Sequence, residues 1–172
     1  MIPTTVVDRE MESVMSEVLN CYGDILLRTC FLYLKDRHLA EDALQDTLIK
    51  IYKNYDKFKG NSEIKTWVMR IAINVCKNYL RSSWWKRIDE SAILENIPVY
   101  SNYETNVQDD AVIAEIMKLS PKYRDVIILY YYQEMKIRQI SDVLKIPEAT
   151  VSTRLSRAKN ILKNKLGEWY YE

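Results

Sequence analysis

The chain contains little glycine and proline, with three and four residues respectively among 172. Strands need frequent turns, and these are the residues that turns most often use. Their scarcity therefore predicts a mostly helical protein. Apolar residues make up 48% of the chain and charged residues 28%, a balance typical of a folded globular protein.

Residues that carry catalysis or bind metals are also scarce. His38 is the only histidine, which removes the usual general base and any site built on several histidines. Cys21, Cys30 and Cys76 form no close pair, so they indicate neither a disulfide framework nor a zinc site, and we expect buried thiols. No pattern indicates a nucleophile–base pair or a phosphate-binding glycine loop. We expect no enzymatic activity, no cofactor or metal, and no small-molecule substrate.

Long apolar runs are missing as well. No run approaches the roughly 20 residues that a bilayer-spanning helix requires, and no signal peptide precedes Met11. A cytoplasmic protein is therefore expected. The net charge is only +1, but a phosphate backbone responds to local charge, and the charges of this chain are unevenly placed.

The most informative segment that is present is Ile137–Lys165. Its pattern predicts a short helix, a tight turn at Ile146-Pro147 and a longer basic helix. Apolar residues recur at spacings that pack two crossed helices together, namely Ile140, Leu144, Val151, Leu155 and Leu162. Polar residues are left facing outward, namely Ser152, Thr153, Ser156 and Arg157. This layout predicts a helix-turn-helix, whose second helix fits the DNA major groove.

Upstream, the apolar periodicity predicts three helices, over Glu10–Leu34, Leu39–Tyr55 and Glu63–Ser82. Asp36 is placed to cap the second of them. The predicted buried positions of the first two helices are Leu19, Tyr22, Leu26, Cys30 and Phe31, then Leu44, Leu48, Ile51 and Tyr55. Those of the third helix are Trp67, Ile71 and Val75. Acidic and polar residues dominate between Asp89 and Asp110. We therefore predict an all-α protein of two small helical domains, 1–86 and 111–172, joined by a flexible acidic linker over 87–110.

Two surfaces of the N-terminal domain suggest binding. Arg70, Asn74, Lys77 and Arg81 form a largely basic stripe on the third helix, able to follow a nucleic-acid backbone. An ordinary solvated face gives the same pattern. The preceding loop places Lys57 and Lys59 around Phe58, suited to an unpaired strand and an extruded base, although Phe58 can equally plug the core.

The second surface lies on the second helix. Asp42, Gln45, Asp46 and Ile49 share one side of that helix, opposite its predicted buried stripe. An acidic patch with one exposed aliphatic residue is a poor DNA surface. It is suited to docking another protein, and a solvated face is an equal alternative.

Three segments in this order carry a family resemblance: DALQDTLIKIY, FKGNSEIKTWVMRIAINVCKNYLR and LSPKYRDVIILYYYQEMKIRQISDVLKIPEATVSTRLSRAK. The chain resembles an extracytoplasmic-function (ECF) sigma factor of bacterial RNA polymerase, a sigma-70 family member, from about Leu19 to Leu166. The resemblance implies a region 2 helical bundle and a region 4 helix-turn-helix. It also implies a transcription initiation factor that directs core polymerase to promoters.

The resemblance further implies which residues act. Docking on the clamp helices of the polymerase β′ subunit falls to Asp42, Gln45, Asp46 and Ile49. Recognition and opening of the −10 element falls to Lys57, Phe58, Lys59, Asn61, Arg70, Asn74, Lys77, Asn78 and Arg81. Recognition of the −35 element falls to Thr150, Ser152, Thr153, Arg154, Ser156, Arg157 and Lys159.

Partners also follow from the resemblance. They are core polymerase, through its β′ clamp helices and β flap, promoter DNA, and an anti-sigma factor that is often membrane-anchored. An active factor of this kind is associated with the nucleoid, and an inhibited one is held at the membrane. The alternative is a stand-alone helix-turn-helix regulator whose N-terminal helices sense a ligand or dimerise. We expect Tyr130–Tyr132 to pack in the core and between domains, and Trp84-Trp85 to form a hydrophobic cover.

Overall fold

A computed structural model of the protein describes residues 6–81 and 107–167, with side chains described for 11–81 and 112–167. These residues contain seven α-helices and no strand, which confirms the all-α prediction. Contacts divide the chain into two compact units, Met1–Glu90 (unit 1) and Ser91–Glu172 (unit 2). Trp84-Trp85, most of the predicted linker and Trp169 lie outside the described residues.

Unit 1 is built from α1 (Val6–Leu34), α2 (Arg37–Asn54) and α3 (Ile64–Arg81), and each of these helices packs against the other two. Asp36 starts α2 as predicted, because its carboxylate Oδ1 accepts a hydrogen bond from the Leu39 amide at 2.8 Å. This bond satisfies one of the amides that the first turn of a helix leaves without a partner. The chain reverses just before it, at Lys35, whose φ is 58°.

The core of unit 1 depends on small residues of α2. The buried positions of this helix are Leu39, Ala40, Ala43, Thr47 and Ile51. Thr47 is buried without an unpaired hydroxyl, since its Oγ1 donates to the Ala43 carbonyl at 2.7 Å. The predicted stripe was therefore wrong except at Ile51: Leu44, Leu48 and Tyr55 are half-buried at its edge. Small side chains let the helix approach its neighbours closely, which moves longer ones outward.

Three further burial predictions for α1 were wrong. Leu19 is exposed, with 48% of its surface accessible, and Tyr22 is half-buried, whereas Leu26, Cys30 and Phe31 are buried as predicted. Cys21 is also exposed, while Cys30 and Cys76 are the buried thiols. The buried face of α1 passes through Val18 rather than Leu19, and both α2 and α3 pack against this helix.

The connection from α2 to α3 begins with a 3₁₀ turn, Tyr55–Lys57. Gly60 follows with a φ of 68°, a left-handed conformation that glycine adopts without steric cost. Helix α3 buries Thr66, Val68, Met69, Ala72, Ile73, Val75 and Cys76. Trp67 and Ile71, which the periodicity placed inward, are only half-buried.

Unit 2 comprises α4 (Val107–Lys118), α5 (Pro121–Ile127), a π-helical turn (Ile128–Tyr132), α6 (Ile137–Leu144) and α7 (Glu148–Leu166). Helix α7 packs against α4, α5 and α6. Its buried residues are Val151, Leu155, Ala158 and Leu162, which face the core that Ile127, Ile128 and Ile140 help to form. Helices α6 and α7 are the predicted helix-turn-helix.

The turn between α6 and α7 is fixed by local hydrogen bonds. Lys145 ends α6 in the left-handed conformation, with a φ of 56°. The Ser141 hydroxyl donates to the Ile146 carbonyl at 2.6 Å, and the Ile146 amide donates back to the Ser141 carbonyl. Serine at this position therefore closes the turn from both sides.

The tyrosine run does not pack in the core as expected. Tyr130 and Tyr131 are 39% and 50% exposed, and their rings meet edge to face at 5.0 Å. The π-helical turn adds a residue to the helical repeat, so that Ile128 and Leu129 are buried, Tyr130 and Tyr131 point outward and Tyr132 is half-buried. None of the described helices is long and apolar enough to span a membrane.

Replacing Lys145 with glycine should stabilise unit 2. The left-handed conformation costs a non-glycine residue roughly 1–2 kcal/mol of folded-state free energy. Glycine avoids this cost, but it loses more conformational entropy on folding, which cancels part of the gain. We expect Lys145→Gly to raise the free energy of unfolding by about 0.5–1 kcal/mol, measured by amide hydrogen exchange across α6 and α7. The matched change Lys159→Gly, within α7, should lower it by about 1 kcal/mol. A loss of stability at Lys145→Gly would contradict this account of the turn.

Candidate nucleic-acid and protein interfaces

The predicted docking residues form one exposed face of α2, called here the docking face. Asp42, Gln45, Asp46 and Ile49 are all exposed, and Ile49 keeps 49% of its surface accessible. Tyr52 extends the face by one turn and is 51% exposed. Sequence reasoning missed Tyr52, although its three-residue spacing from Ile49 was the available signal. The face combines two carboxylates with two large exposed side chains.

A hydrogen bond from α3 reaches this face. The Tyr79 hydroxyl donates to Oδ2 of Asp46 at 2.8 Å, joining residues 33 positions apart in the sequence. Burial, this bond and the charges of Asp46 and Asp42 raise the pKa of Tyr79 to about 12. Because folding raises this pKa, protonation of the Tyr79 phenol stabilises the folded state. The contribution is complete at pH values below the ordinary pKa of 10 and is lost as the pH rises through about 12.

The polar stripe of α3 is present, with uneven exposure. Asn74, Asn78 and Arg81 are exposed, whereas Arg70 and Lys77 are half-buried. The Arg70 Nε is buried without a hydrogen-bond partner among the described residues. A guanidinium in this position can still direct its outer nitrogens to a phosphate.

The loop before α3 packs through an aromatic cluster, Tyr55, Phe58 and Trp67. The rings of Phe58 and Trp67 lie 5.0 Å apart, and Tyr55 meets Trp67 edge to face at 6.3 Å. Each of the three side chains is half-buried. Phe58 is therefore neither fully buried in the core nor fully exposed, and its ring packs against that of Trp67.

A cleft lies between α2 and α3 beside this cluster, with a volume of about 330 Å³. It is lined by Lys50, Asn54, Lys57, Trp67, Ile71 and Asn74. Within it the Lys57 ammonium donates to Oδ1 of Asn54 at 3.3 Å, and the Asn54 amide donates to the Lys50 carbonyl at 2.8 Å. One wall is thus aromatic and aliphatic, and the others carry amides and ammonium groups.

Only two of the predicted −10 residues, Lys57 and Asn74, line the cleft. Lys59 and Asn61 are exposed in the loop outside its lining. Sequence reasoning missed Lys50, Asn54, Trp67 and Ile71 as cleft residues. Asn54, Trp67 and Ile71 are half-buried. A periodicity that sorts residues only into inward and outward positions does not predict half-buried ones.

The outer surface of α7 carries the residues predicted for the −35 element. Ser152, Thr153, Ser156, Arg157 and Lys159 are exposed, and Thr150 and Arg154 are half-buried. The Ser152 and Thr153 hydroxyls donate to the carbonyls of Glu148 and Ala149, at 3.1 and 2.8 Å. Arg157 lies about two and a half turns into α7, on its solvent side.

The described residues hold no group of three or more histidine, cysteine, aspartate or glutamate side chains placed to bind a metal ion. The surfaces described above present charged groups, amides and aromatic rings.

Comparison with known proteins assigns both units. The family model for Sigma-70 region 2 matches residues 18–86, and that for Sigma-70 region 4 matches residues 109–162. Two solved structures share the fold. The first is CnrH, solved in complex with the cytosolic domain of CnrY; it is 18% identical, the match covers 90% of this chain and 88% of CnrH, and the TM-score is 0.70. The sigma factor RpoE from Bartonella quintana, in complex with the anti-sigma factor NepR, matches at 22% identity, 88% and 95% coverage and a TM-score of 0.74.

Sequence relatives are closer. The chain is 32% identical over 171 residues to the ECF RNA polymerase sigma factor SigW of Bacillus subtilis (strain 168), covering 90% of each chain. It is 29% identical to the ECF RNA polymerase sigma factor SigM of the same organism, covering 87% of this chain and 93% of that one. With both sigma regions matched in order and a relative 32% identical over 90% of each chain, the chain belongs to the ECF sigma factors of the sigma-70 family.

Proposed function

We propose that this protein binds core RNA polymerase through the docking face and directs it to promoters that carry −10 and −35 elements. The observation that carries this proposal is the cleft between α2 and α3, beside the basic stripe of unit 1. A stand-alone helix-turn-helix regulator explains unit 2 equally well. It has no use for a cleft and an acidic docking face in a separate helical unit, so the sigma-factor assignment accounts for more of the molecule.

The docking face suits a protein partner. Ile49 and Tyr52 provide exposed apolar area at one end of the face, and Asp42 and Asp46 supply negative charge beside it. Protein interfaces concentrate their binding energy in a few residues, among which tyrosine is enriched, whereas surrounding charges set specificity and association rate. We assign the polymerase β′ clamp helices to this face, with Asp42, Gln45, Asp46 and Ile49 in contact.

The cleft suits a nucleobase extruded from the −10 element. Its volume of about 330 Å³ is within the range of small-molecule sites. A base there can stack on Trp67 and form hydrogen bonds with the Asn54 and Asn74 amides, which recovers part of the energy of unstacking. Lys57, Lys59, Asn61, Arg70, Lys77, Asn78 and Arg81 then hold the separated strand and the duplex edge, while Phe58 braces the stacking wall.

Helix α7 suits the major groove of the −35 element. Arg157 is the one exposed arginine among the predicted −35 contacts, able to bind guanine through two hydrogen bonds, while Arg154 and Lys159 approach phosphates. Thr150, Ser152, Thr153 and Ser156 are tolerant readers, so DNA shape contributes much of the specificity. The β flap of the polymerase would hold unit 2 at this element.

Regulation is proposed from the relatives. CnrH and RpoE were solved with the cytosolic domain of CnrY and with the anti-sigma factor NepR. We propose that an anti-sigma factor likewise binds and inhibits this chain, and that this factor is anchored in the membrane. The protein would then act in the cytoplasm, at the nucleoid when free and at the membrane when held. It would need no catalysis, cofactor or small-molecule substrate.

Reversing one charge on the docking face should abolish docking. Asp46→Arg places a positive charge where we expect the polymerase to present one, and such juxtaposition costs several kcal/mol, or about 100-fold or more in affinity. Pull-down of core polymerase measures it. Asp24→Arg, the same reversal at an exposed position of α1, should bind core normally. Normal pull-down by the Asp46 variant would remove the docking assignment.

Removing one amide from the cleft should impair promoter opening. Asn74→Ala should slow the rise in fluorescence of a 2-aminopurine placed in the −10 element by about tenfold, since one hydrogen bond to the extruded base is lost. Closed-complex affinity should remain. Asn20→Ala, at an exposed position of α1, serves as the matched control. Equal opening rates for the two variants would exclude the cleft as the base site.

Shortening Arg157 should relax −35 recognition. Arg157→Ala should lose about 1–3 kcal/mol of discrimination against promoters with an altered −35 guanine, measured by competition for holoenzyme. Arg157→Lys should retain phosphate attraction and lose the same discrimination, because lysine cannot bind guanine in the same two-pronged geometry. Core affinity should not change in either variant, and a loss of it would contradict the assigned role.

A further inference from the structure

We propose that Tyr79 is a positioning residue of the docking face, holding the Asp46 carboxylate in the orientation that meets the polymerase. The proposal rests on the proposed docking role of α2. Tyr79 belongs to the neighbouring helix α3, and none of the sequence patterns singled it out. It would make the DNA-facing helix of unit 1 a contributor to polymerase binding.

The geometry limits the motion of an otherwise exposed side chain. Asp46 lies on the solvent side of α2, where an aspartate ordinarily samples several rotamers. The Tyr79 hydroxyl donates to Oδ2 of Asp46 at 2.8 Å. Among the described residues, this is the one hydrogen bond that the Asp46 carboxylate accepts. The second oxygen, Oδ1, is left for an incoming donor. Ordering the group before binding reduces the entropy that association would otherwise lose.

The Tyr79 hydroxyl can donate this hydrogen bond at all physiological pH values. Burial raises the pKa of Tyr79 to about 12, with further contributions from the bond to Asp46 and from the charges of Asp46 and Asp42. The phenol therefore keeps its proton at every pH at which a bacterial cytoplasm operates. Phenol and carboxylate form a charge-assisted hydrogen bond, which is stronger than one between neutral groups.

Position adds a second consequence. Tyr79 directly follows Asn78, one of the −10 residues, and precedes Arg81 by two positions on α3. The bond to Asp46 consequently spans the two helices that carry the docking face and the DNA stripe. The orientation of the docking carboxylate thus depends on the packing of α2 against α3, the same packing that shapes the cleft.

The first test is the affinity for core polymerase, measured by fluorescence anisotropy of the labelled full-length protein. Tyr79→Phe removes one hydroxyl and keeps the ring, so we expect affinity to fall about three- to tenfold, the usual effect of one hydrogen bond. Tyr22→Phe is the matched control, a half-buried tyrosine of α1 whose pKa burial also raises. It should bind core as the native chain does. Unchanged affinity in Tyr79→Phe would overturn the proposal.

A double-mutant cycle separates positioning from general stability. In an Asp46→Ala background there is no carboxylate to orient, so adding Tyr79→Phe should cost no further affinity. Additive losses would mean that Tyr79 acts elsewhere, and the proposal would fail alone. If Asp46→Ala itself left core affinity unchanged, the docking assignment of α2 would fall, and the positioning role with it.

A spectroscopic readout follows the bond directly. The Tyr79 phenol, assigned in ¹³C-tyrosine NMR spectra by its absence from Tyr79→Phe, should titrate near pH 12 in the native chain. In Asp46→Ala its midpoint should move down toward the ordinary value of 10, because two of the causes that raise the pKa are removed. An unmoved midpoint would show that the two side chains do not interact in solution.

Discussion

The arrangement of unit 1 depends on the close packing of one helix, α2, through small buried residues. Ala40, Ala43 and Thr47 let its backbone approach α1 and α3. The remaining sides of the helix are then free for two purposes: the docking face on one side, and the lysine and asparagine edge of the cleft, Lys50 and Asn54, on another. A bulkier residue at Ala43 would separate the helices, and would alter both surfaces together. The proposed polymerase docking and base capture would therefore share one structural origin.

The composition of the two units suits the proposed division of promoter recognition between them. The recognition helix of unit 2 presents serine and threonine hydroxyls, two of them already donating within the helix, and a single exposed arginine in the proposed reading position. Such a surface should bind weakly alone. The net charge of +1 adds little general attraction to DNA. Joined in one chain and oriented by polymerase, two weak sites gain through effective concentration, which makes promoter affinity conditional on the polymerase.

Sequence reasoning succeeded where the physical signal was local and periodic. The helix-turn-helix, the Asp36 cap and the exposed side of α2 were all predicted, because each follows from residue type and helical spacing. It failed where tertiary packing decided the outcome. Half-burial of Trp67 and Ile71, the outward tyrosines of the π-helical turn and the bond from Tyr79 to Asp46 each depend on a neighbouring element or an irregular turn. A pattern within one helix contains no information about its partner.

Run-off transcription with purified core polymerase tests the central claim most directly. The template should carry a promoter captured by the holoenzyme, with both elements intact or either one scrambled. We expect a specific transcript only when this protein is added to core, and a loss of that transcript when either element is scrambled. Tight binding of the same promoter by the protein without polymerase, with no transcript when the two are combined, would contradict the account and favour a stand-alone regulator.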